Sequence, residues 1–149
     1  MDFKAISSVV AEDFEAVNRF ITHHLDPEVP LIREVGEYIV DSGGKRLRPL
    51  VGLLSARASG YTGAQHVDVA AVIEFLHTAT LLHDDVVDES SLRRGRPTVN
   101  AVWDNCASVR GGDFLISRAF PLWVAMRHAR PAERLTPSNT TPTADRDLP

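Results

Sequence analysis

The feature that most constrains the fold is a long apolar segment, residues 66–87, that ends in acidic side chains. Its apolar residues recur with helical spacing, so the segment predicts a helix of roughly six turns. A helix that is apolar around most of its circumference must be covered on nearly every side. The rest of this 149-residue chain, in which 44% of residues are hydrophobic, must therefore supply further packing elements.

Helical spacing also appears before and after this segment. Residues 3–25 and 29–40 each present an apolar stripe, and a third helix follows residues 45–49 and ends at Ala58. Residues 98–103 predict a short helix, and residues 107–126 predict a longer one. Because no segment alternates with a period of two, the predicted class is all-α.

The composition changes at His128. The last 22 residues include four prolines and no apolar period, which is typical of a disordered tail. We therefore expect a helical domain over residues 1–127 and a tail over residues 128–149.

Three aspartates close the apolar helix. Helical geometry places Asp84 and Asp88 within about 20° of the line through His77, and Asp85 neighbours Asp88. Carboxylates this close repel one another and are disfavoured at a helix C-terminus, so they call for cations. An all-oxygen donor set without cysteine favours a hard ion such as Mg²⁺.

Two basic segments complement the aspartates. Residues 43–49, Gly-Gly-Lys-Arg-Leu-Arg-Pro, combine a flexible backbone with Lys45 and Arg48, and a second group follows the aspartates at Arg93, Arg94 and Arg96. Arginine forks bind phosphate oxygens, and Mg²⁺ neutralises others. The combination therefore predicts a diphosphate ligand.

Charge and composition exclude other functions. A net charge of −4 leaves no basic surplus for nucleic-acid binding, and the single cysteine, Cys106, cannot form an internal disulfide. The first residues lack the apolar core of a signal peptide, and no run approaches a transmembrane length. We therefore expect a cytoplasmic protein with no transmembrane segment.

These motifs resemble the trans-polyprenyl diphosphate synthases, the polyprenyl synthetase family. The resemblance comprises residues 43–49, the approach from His77 to His83, the aspartate-rich motif at residues 84–88, and residues 92–95. Residues 38–40, 78–80 and 84–90 resemble the long-chain bacterial branch. The likeness covers residues 1 to about 120 and corresponds to the N-terminal part of the family's isoprenoid synthase helical fold.

The resemblance implies a role for each matching residue. Asp84, Asp85 and Asp88 are the implied catalytic metal ligands, holding Mg²⁺ on an allylic diphosphate that Arg93 also grips. The residues implied to bind isopentenyl diphosphate are Lys45, Arg48, His77 and Arg94. The reaction that the resemblance implies is the condensation of the two substrates into a long-chain polyprenyl diphosphate, a quinone side-chain precursor. Small residues at Ala79 and Thr80 imply an open tunnel for the growing chain.

The sequence also departs from the family. Family members are about twice as long, associate as homodimers or with other subunits, and supply a second aspartate-rich motif from the half with no counterpart here. Arg110-Gly111 replaces two apolar residues, and a glycine inside a helix costs roughly 1 kcal/mol. We therefore expect the chain to be loosely packed and inactive in prenyl transfer by itself.

Two other functions remain open from the sequence. The chain could be a non-catalytic, diphosphate-binding partner of a complete synthase subunit. Alternatively, Leu81-Leu82-His83-Asp84 is similar to the signature of HD-type metal phosphohydrolases. The phosphohydrolase interpretation requires further histidine ligands and gives the arginines no role.

Overall fold

A computed structural model describes residues 3–25, 29–41 and 46–128. The helices are α1 (Phe3–Ser8), α2 (Ala11–His24), α3 (Pro30–Asp41), α4 (Leu47–Ala58), α5 (Gln65–Val87), α6 (Val99–Val102) and α7 (Asn105–His128). A short hairpin, β1 (Leu92–Arg93) and β2 (Arg96–Pro97), lies between α5 and α6. The all-α prediction is confirmed.

Helix α5 is the centre of the fold, as its apolar sequence requires. Helices α2, α4 and α7 all pack against it, and α3 packs on α7. The α5 residues Ala71, Val72, Phe75 and Ala79 are almost fully buried among apolar residues of the surrounding helices. The predicted helix of residues 66–87 thus begins one residue early and ends where expected.

Helix α7 approaches α3 and α5 closely at two glycines. A Cβ at Gly111 would lie 3.0 Å from Val35 Cγ1, and one at Gly112 would overlap the His83 ring. Nearby, the buried Ser108 hydroxyl donates to the Leu82 carbonyl at 2.8 Å. Arg110 is exposed, so the arginine expected to disturb this helix stays in solvent and the glycine beside it serves the helix contact.

The prediction of one helix over residues 3–25 is wrong. The chain turns at Val9 and Val10, where the amides donate to carbonyls three residues earlier at 3.3 Å. The turn buries Val10 completely while Val9 stays exposed. The apolar stripe continued across this turn, so spacing alone did not reveal it.

The hairpin was also not predicted. Its antiparallel register pairs Leu92 with Pro97 and Arg93 with Arg96. Both turn residues are left-handed, with φ of 52° at Arg94 and 78° at Gly95, as tight hairpins require. Two residues per strand are too few for a period to be recognised in the sequence.

Residues 129–149 lie outside the described ranges, so the expected domain boundary and tail stay predictions. His128 is still helical, so the expected boundary at residue 127 falls inside the last turn of α7. Within the described ranges, no helix is both long and apolar enough to cross a bilayer.

Candidate functional site

A cavity of about 440 Å³ opens beside the second half of α5. Residues of α2, α3, α4, α7 and the hairpin form its other walls. One part of the lining is apolar and includes Ile21, Leu25, Ile39, Phe75 and Leu115. An apolar recess next to polar groups can hold a ligand that has both a charged and a hydrocarbon part.

Arginines dominate the polar lining. Within the part of the chain that the structure describes, five arginines line this space: Arg46, Arg48, Arg93, Arg94 and Arg96. Against them stand two carboxylates, those of Glu74 and Asp85. We call this space the arginine cavity. An excess of positive charge favours an anionic ligand, and the binding of a diphosphate there stays a prediction.

Two of these arginines have a left-handed backbone. Arg46, which precedes α4, has φ of 41°, and Arg94 at the hairpin turn has φ of 52°. The Arg46 guanidinium donates a hydrogen bond to the Asn18 side chain of α2. Non-glycine residues adopt this conformation rarely, and it is often associated with functional sites.

Arg93 pairs with the second aspartate. Its Nη2 and Nε atoms lie 2.7 Å and 3.0 Å from Asp85 Oδ1. The hydrogen bond to Asp85 raises the pKa of Arg93 above its ordinary value, although burial acts in the opposite direction. The sequence assigned these two residues to different partners, metal and diphosphate, whereas the structure joins them to each other.

Asp84 and Asp88 lie on successive turns at the end of α5, where the Asp88 amide donates to the Asp84 carbonyl at 2.8 Å. Both side chains are exposed and neither lines the arginine cavity, while Asp85 is buried. In the described ranges, no three histidine, cysteine or acidic side chains are grouped so as to hold a metal ion. The donor chemistry suits a hard ion, and metal binding at these three aspartates stays a prediction.

His77 and Glu74 lie one turn apart on the cavity wall. Burial lowers the pKa of His77, and the charges of Arg48, Arg94 and Arg93 lower it further. Burial raises the pKa of Glu74 against the effect of nearby arginines. Sequence reasoning selected His77 and missed Glu74, although a carboxylate within an apolar helix was a visible signal.

The two residues expected to set product length lie in different environments. Ala79 is fully buried in the core. Thr80 is exposed, and its hydroxyl donates a hydrogen bond to the His77 carbonyl. Neither lines the arginine cavity. Their role in chain length stays a prediction, and Lys45 lies outside the described residues.

Further polar residues that the sequence analysis did not select hold the hairpin. The Tyr38 hydroxyl donates to the Pro97 carbonyl at 2.8 Å, and the Thr98 hydroxyl donates to the Ser90 carbonyl at 2.7 Å. The Asn100 amide donates to the same Ser90 carbonyl at 3.0 Å. Each bond joins residues at least eight positions apart, so no local pattern indicated them.

The chain belongs to the polyprenyl synthetase family, whose signature matches residues 29–141. It is 52% identical over 126 residues to octaprenyl diphosphate synthase of Escherichia coli, covering 85% of this chain and 39% of the relative. It is 54% identical over 126 residues to the all-trans-nonaprenyl-diphosphate synthase (geranyl-diphosphate specific) of Rhodobacter capsulatus, with 83% and 39% covered. The expected likeness to long-chain bacterial synthases, octaprenyl diphosphate synthase in particular, is confirmed.

Solved structures show the same fold. The decaprenyl diphosphate synthase of Rhodobacter capsulatus superposes with a TM-score of 0.79 at 51% identity, covering 83% of this chain and 39% of that one. A polyprenyl synthase from Caulobacter crescentus complexed with calcium and isoprenyl diphosphate gives 0.81 at 41% identity, with 86% and 39% covered. The chain thus spans about two fifths of the length of these relatives.

The family match removes the support for the phosphohydrolase interpretation. That interpretation required further histidine ligands around His83 and Asp84, and the described ranges contain no such cluster. The His83 ring instead faces α7, with Nε2 3.4 Å from Asp113 Oδ1 and 3.3 Å from the Val109 carbonyl.

Proposed function

We propose that this chain takes part in cytoplasmic isoprenoid biosynthesis, in the Mg²⁺-dependent condensation of isopentenyl diphosphate with an allylic diphosphate. The observation that supports this most directly is the arginine cavity, where five arginines line a space with an apolar recess. A prenyl diphosphate has the matching parts, an anionic diphosphate group and a hydrocarbon tail. Family membership supports the same chemistry.

The diphosphate of isopentenyl diphosphate would bind Arg48, Arg94 and His77, together with Lys45. Arg48, Arg94 and His77 line one cavity, and the pKa of His77 is already lowered by Arg48 and Arg94. A diphosphate placed there would reverse the sign of the local field. The imidazole could then hold a proton against a phosphate oxygen.

The allylic diphosphate would bind toward the C-terminal end of α5, where Asp85 lines the arginine cavity and Asp84 and Asp88 lie outside it. Asp84, Asp88 and Asp85 would hold Mg²⁺, which when bound supplies charge stabilisation of the departing diphosphate. Arg93 is already oriented by Asp85, so it can contact this diphosphate without reordering a flexible side chain. The calcium and isoprenyl diphosphate named with the Caulobacter crescentus structure support a divalent cation and this ligand class.

The product would be a long-chain polyprenyl diphosphate. The similar proteins are named octaprenyl, nonaprenyl and decaprenyl synthases, and Ala79 and Thr80 are both small. The apolar walls of the arginine cavity would exclude water from the reacting carbons. No general base is required, because diphosphate can accept the final proton.

Calorimetry tests the ligand and metal assignments together. We expect an allylic diphosphate to bind in Mg²⁺ and to lose most of its affinity in EDTA, and Asp84→Ala to remove the Mg²⁺-dependent component. Lys45→Ala should weaken isopentenyl diphosphate and leave the allylic ligand nearly unchanged. Equal affinity with and without Mg²⁺ would contradict the role of the aspartates.

A second candidate is a diphosphate-binding subunit that acts within a multi-chain synthase. A relative from Bacillus subtilis, 37% identical over 117 residues, is named heptaprenyl diphosphate synthase component 2. Incorporation of labelled isopentenyl diphosphate by the purified chain separates the two candidates. Turnover by a homodimer supports the first, whereas binding with turnover only after adding a complete synthase subunit supports the second.

A further inference from the structure

The hairpin that contains three of the cavity arginines is too small to be stable by itself. Each strand has two residues, and a two-stranded hairpin is at best marginal in water even when longer. Arg94 also has a left-handed backbone at the turn, a conformation that is unfavourable for residues other than glycine. Contacts with the rest of the protein must therefore hold the arginines in place.

Several of these contacts lie on the side of α5. Arg93 is paired with the buried Asp85 of that helix. At the base of the hairpin, Thr98 and Asn100 both donate to the Ser90 carbonyl, which follows the end of α5. These bonds fix the first strand and the base, and they do not reach α3 across the cavity.

Tyr38 connects the hairpin to α3. Its hydroxyl donates to the carbonyl of Pro97, the last residue of β2, at 2.8 Å. Its ring meets Trp103 edge to face, with centroids 5.3 Å apart and planes at 82°. Tyr38 also lines the arginine cavity. This one side chain therefore contacts β2, Trp103 and the proposed binding space.

We propose that Tyr38 is a positioning residue that sets the location of Arg94 by anchoring the hairpin to α3. Leu92 and Pro97 form the outer pair of the hairpin, so a shift of Pro97 tilts the turn that contains Arg94. Arg48 lies on α4 and does not depend on this anchor. The inference rests on the proposed binding of diphosphate at Arg94.

Limited trypsin digestion tests the anchor without any ligand. Tyr38→Phe removes only the hydroxyl, and the loss of one hydrogen bond should raise cleavage at Arg94–Gly95 about two- to fivefold. Cleavage at Arg57–Ala58 should not change. The control is Tyr61→Phe, the same chemical change at the chain's other tyrosine, which is exposed on the α4–α5 connection. Equal cleavage at Arg94 in wild type and Tyr38→Phe would overturn the anchor.

Titration with inorganic pyrophosphate in Mg²⁺ tests the consequence for binding. We expect Tyr38→Phe to weaken binding about two- to fivefold in the wild-type and Arg48→Ala backgrounds, and to have no effect in Arg94→Ala. The same loss in all three backgrounds would show a general structural effect and overturn the positioning role. Wild-type protein that does not bind pyrophosphate would overturn the proposed function, whereas wild-type binding with unchanged Tyr38→Phe would overturn only the role of Tyr38.

Discussion

Two groups of charged side chains contact α5 at opposite ends, and only one of them adjoins the proposed binding space. Near the start of α5, Asp13 Oδ2 lies 3.3 Å from His66 Nε2 and 3.4 Å from Arg57 Nε. We call these three residues the His66 cluster. At the other end, Arg93 meets Asp85 within the arginine cavity.

The difference between the two groups is charge balance. In the His66 cluster, one carboxylate faces one guanidinium and an imidazole, so the helices α2, α4 and α5 are joined without a large excess of charge. In the arginine cavity, guanidinium groups outnumber carboxylates among the described lining residues. An ion pair by itself therefore indicates structure, and an excess of one sign around a space indicates a ligand.

Removing an aspartate from each group should have unequal effects on folding. We expect Asp85→Ala to lower the free energy of unfolding by about 2–3 kcal/mol, since Asp85 is buried and its loss leaves Arg93 without its partner. Asp13→Ala should cost less, about 1 kcal/mol, because Arg57, one of its two partners, is more than half exposed. Urea denaturation measures both. Equal losses of unfolding free energy would contradict this difference and show that both aspartates stabilise the fold to the same extent.

Removing an arginine from each group should separate binding from structure. We expect Arg48→Ala to weaken pyrophosphate binding about 10- to 50-fold, the loss of one charge-assisted hydrogen bond. Arg57→Ala should leave binding unchanged. Calorimetry in Mg²⁺ measures the affinity, and circular dichroism confirms that both variants fold. A similar loss in Arg57→Ala would mean that net charge, not the cavity, controls binding.

Glu74 offers a change in the opposite direction. Glu74→Gln removes a negative charge from the lining of the arginine cavity, so pyrophosphate should bind about two- to fivefold more tightly near pH 7. Glu15→Gln is the matched control, since Glu15 is exposed on α2 beside Arg19. Weaker binding by Glu74→Gln would show that this carboxylate orients the arginines rather than opposing the ligand.

The smallest expected effect is a dependence on pH through His77. Burial and nearby arginines lower the pKa of His77 below 6.5, so the ring is neutral near pH 7. A bound diphosphate raises that pKa, so His77 should favour binding increasingly as the pH falls. The ratio of wild-type to His77→Gln affinity should rise about twofold between pH 7.5 and 5.5. The same ratio for His66→Gln, in the His66 cluster, should stay flat.

The sequence was sufficient for most helices because apolar spacing is a local property. The central helix was predicted to within one residue at each end, and arginines of the two basic segments line one cavity. The turn at Val10 was missed because burial there depends on packing against distant helices. The Asp85–Arg93 pair was missed for a similar reason, since the hairpin that turns Arg93 back onto α5 has no recognisable pattern.

The side-chain contacts around the site were the least predictable part. His77 was placed with Asp84 and Asp88 by helical angle, but the structure places it on the cavity wall with Glu74. Helical geometry gives the direction of each side chain around the helix axis. It does not show which side of the helix other elements cover and which side faces a cavity. Tyr38 and Asn100 could be recognised only after the hairpin's position was known.

The left-handed arginines have a consequence for laboratory evolution of this chain. At Arg46 and Arg94, glycine or asparagine would relieve backbone strain of about 1 kcal/mol, so a library sorted only for thermal resistance should enrich such replacements. Each enriched clone would be more thermally stable and would lack one arginine of the arginine cavity. Selection for thermal stability and selection for ligand binding therefore favour different residues at these two positions. A useful screen must measure both properties in the same clone.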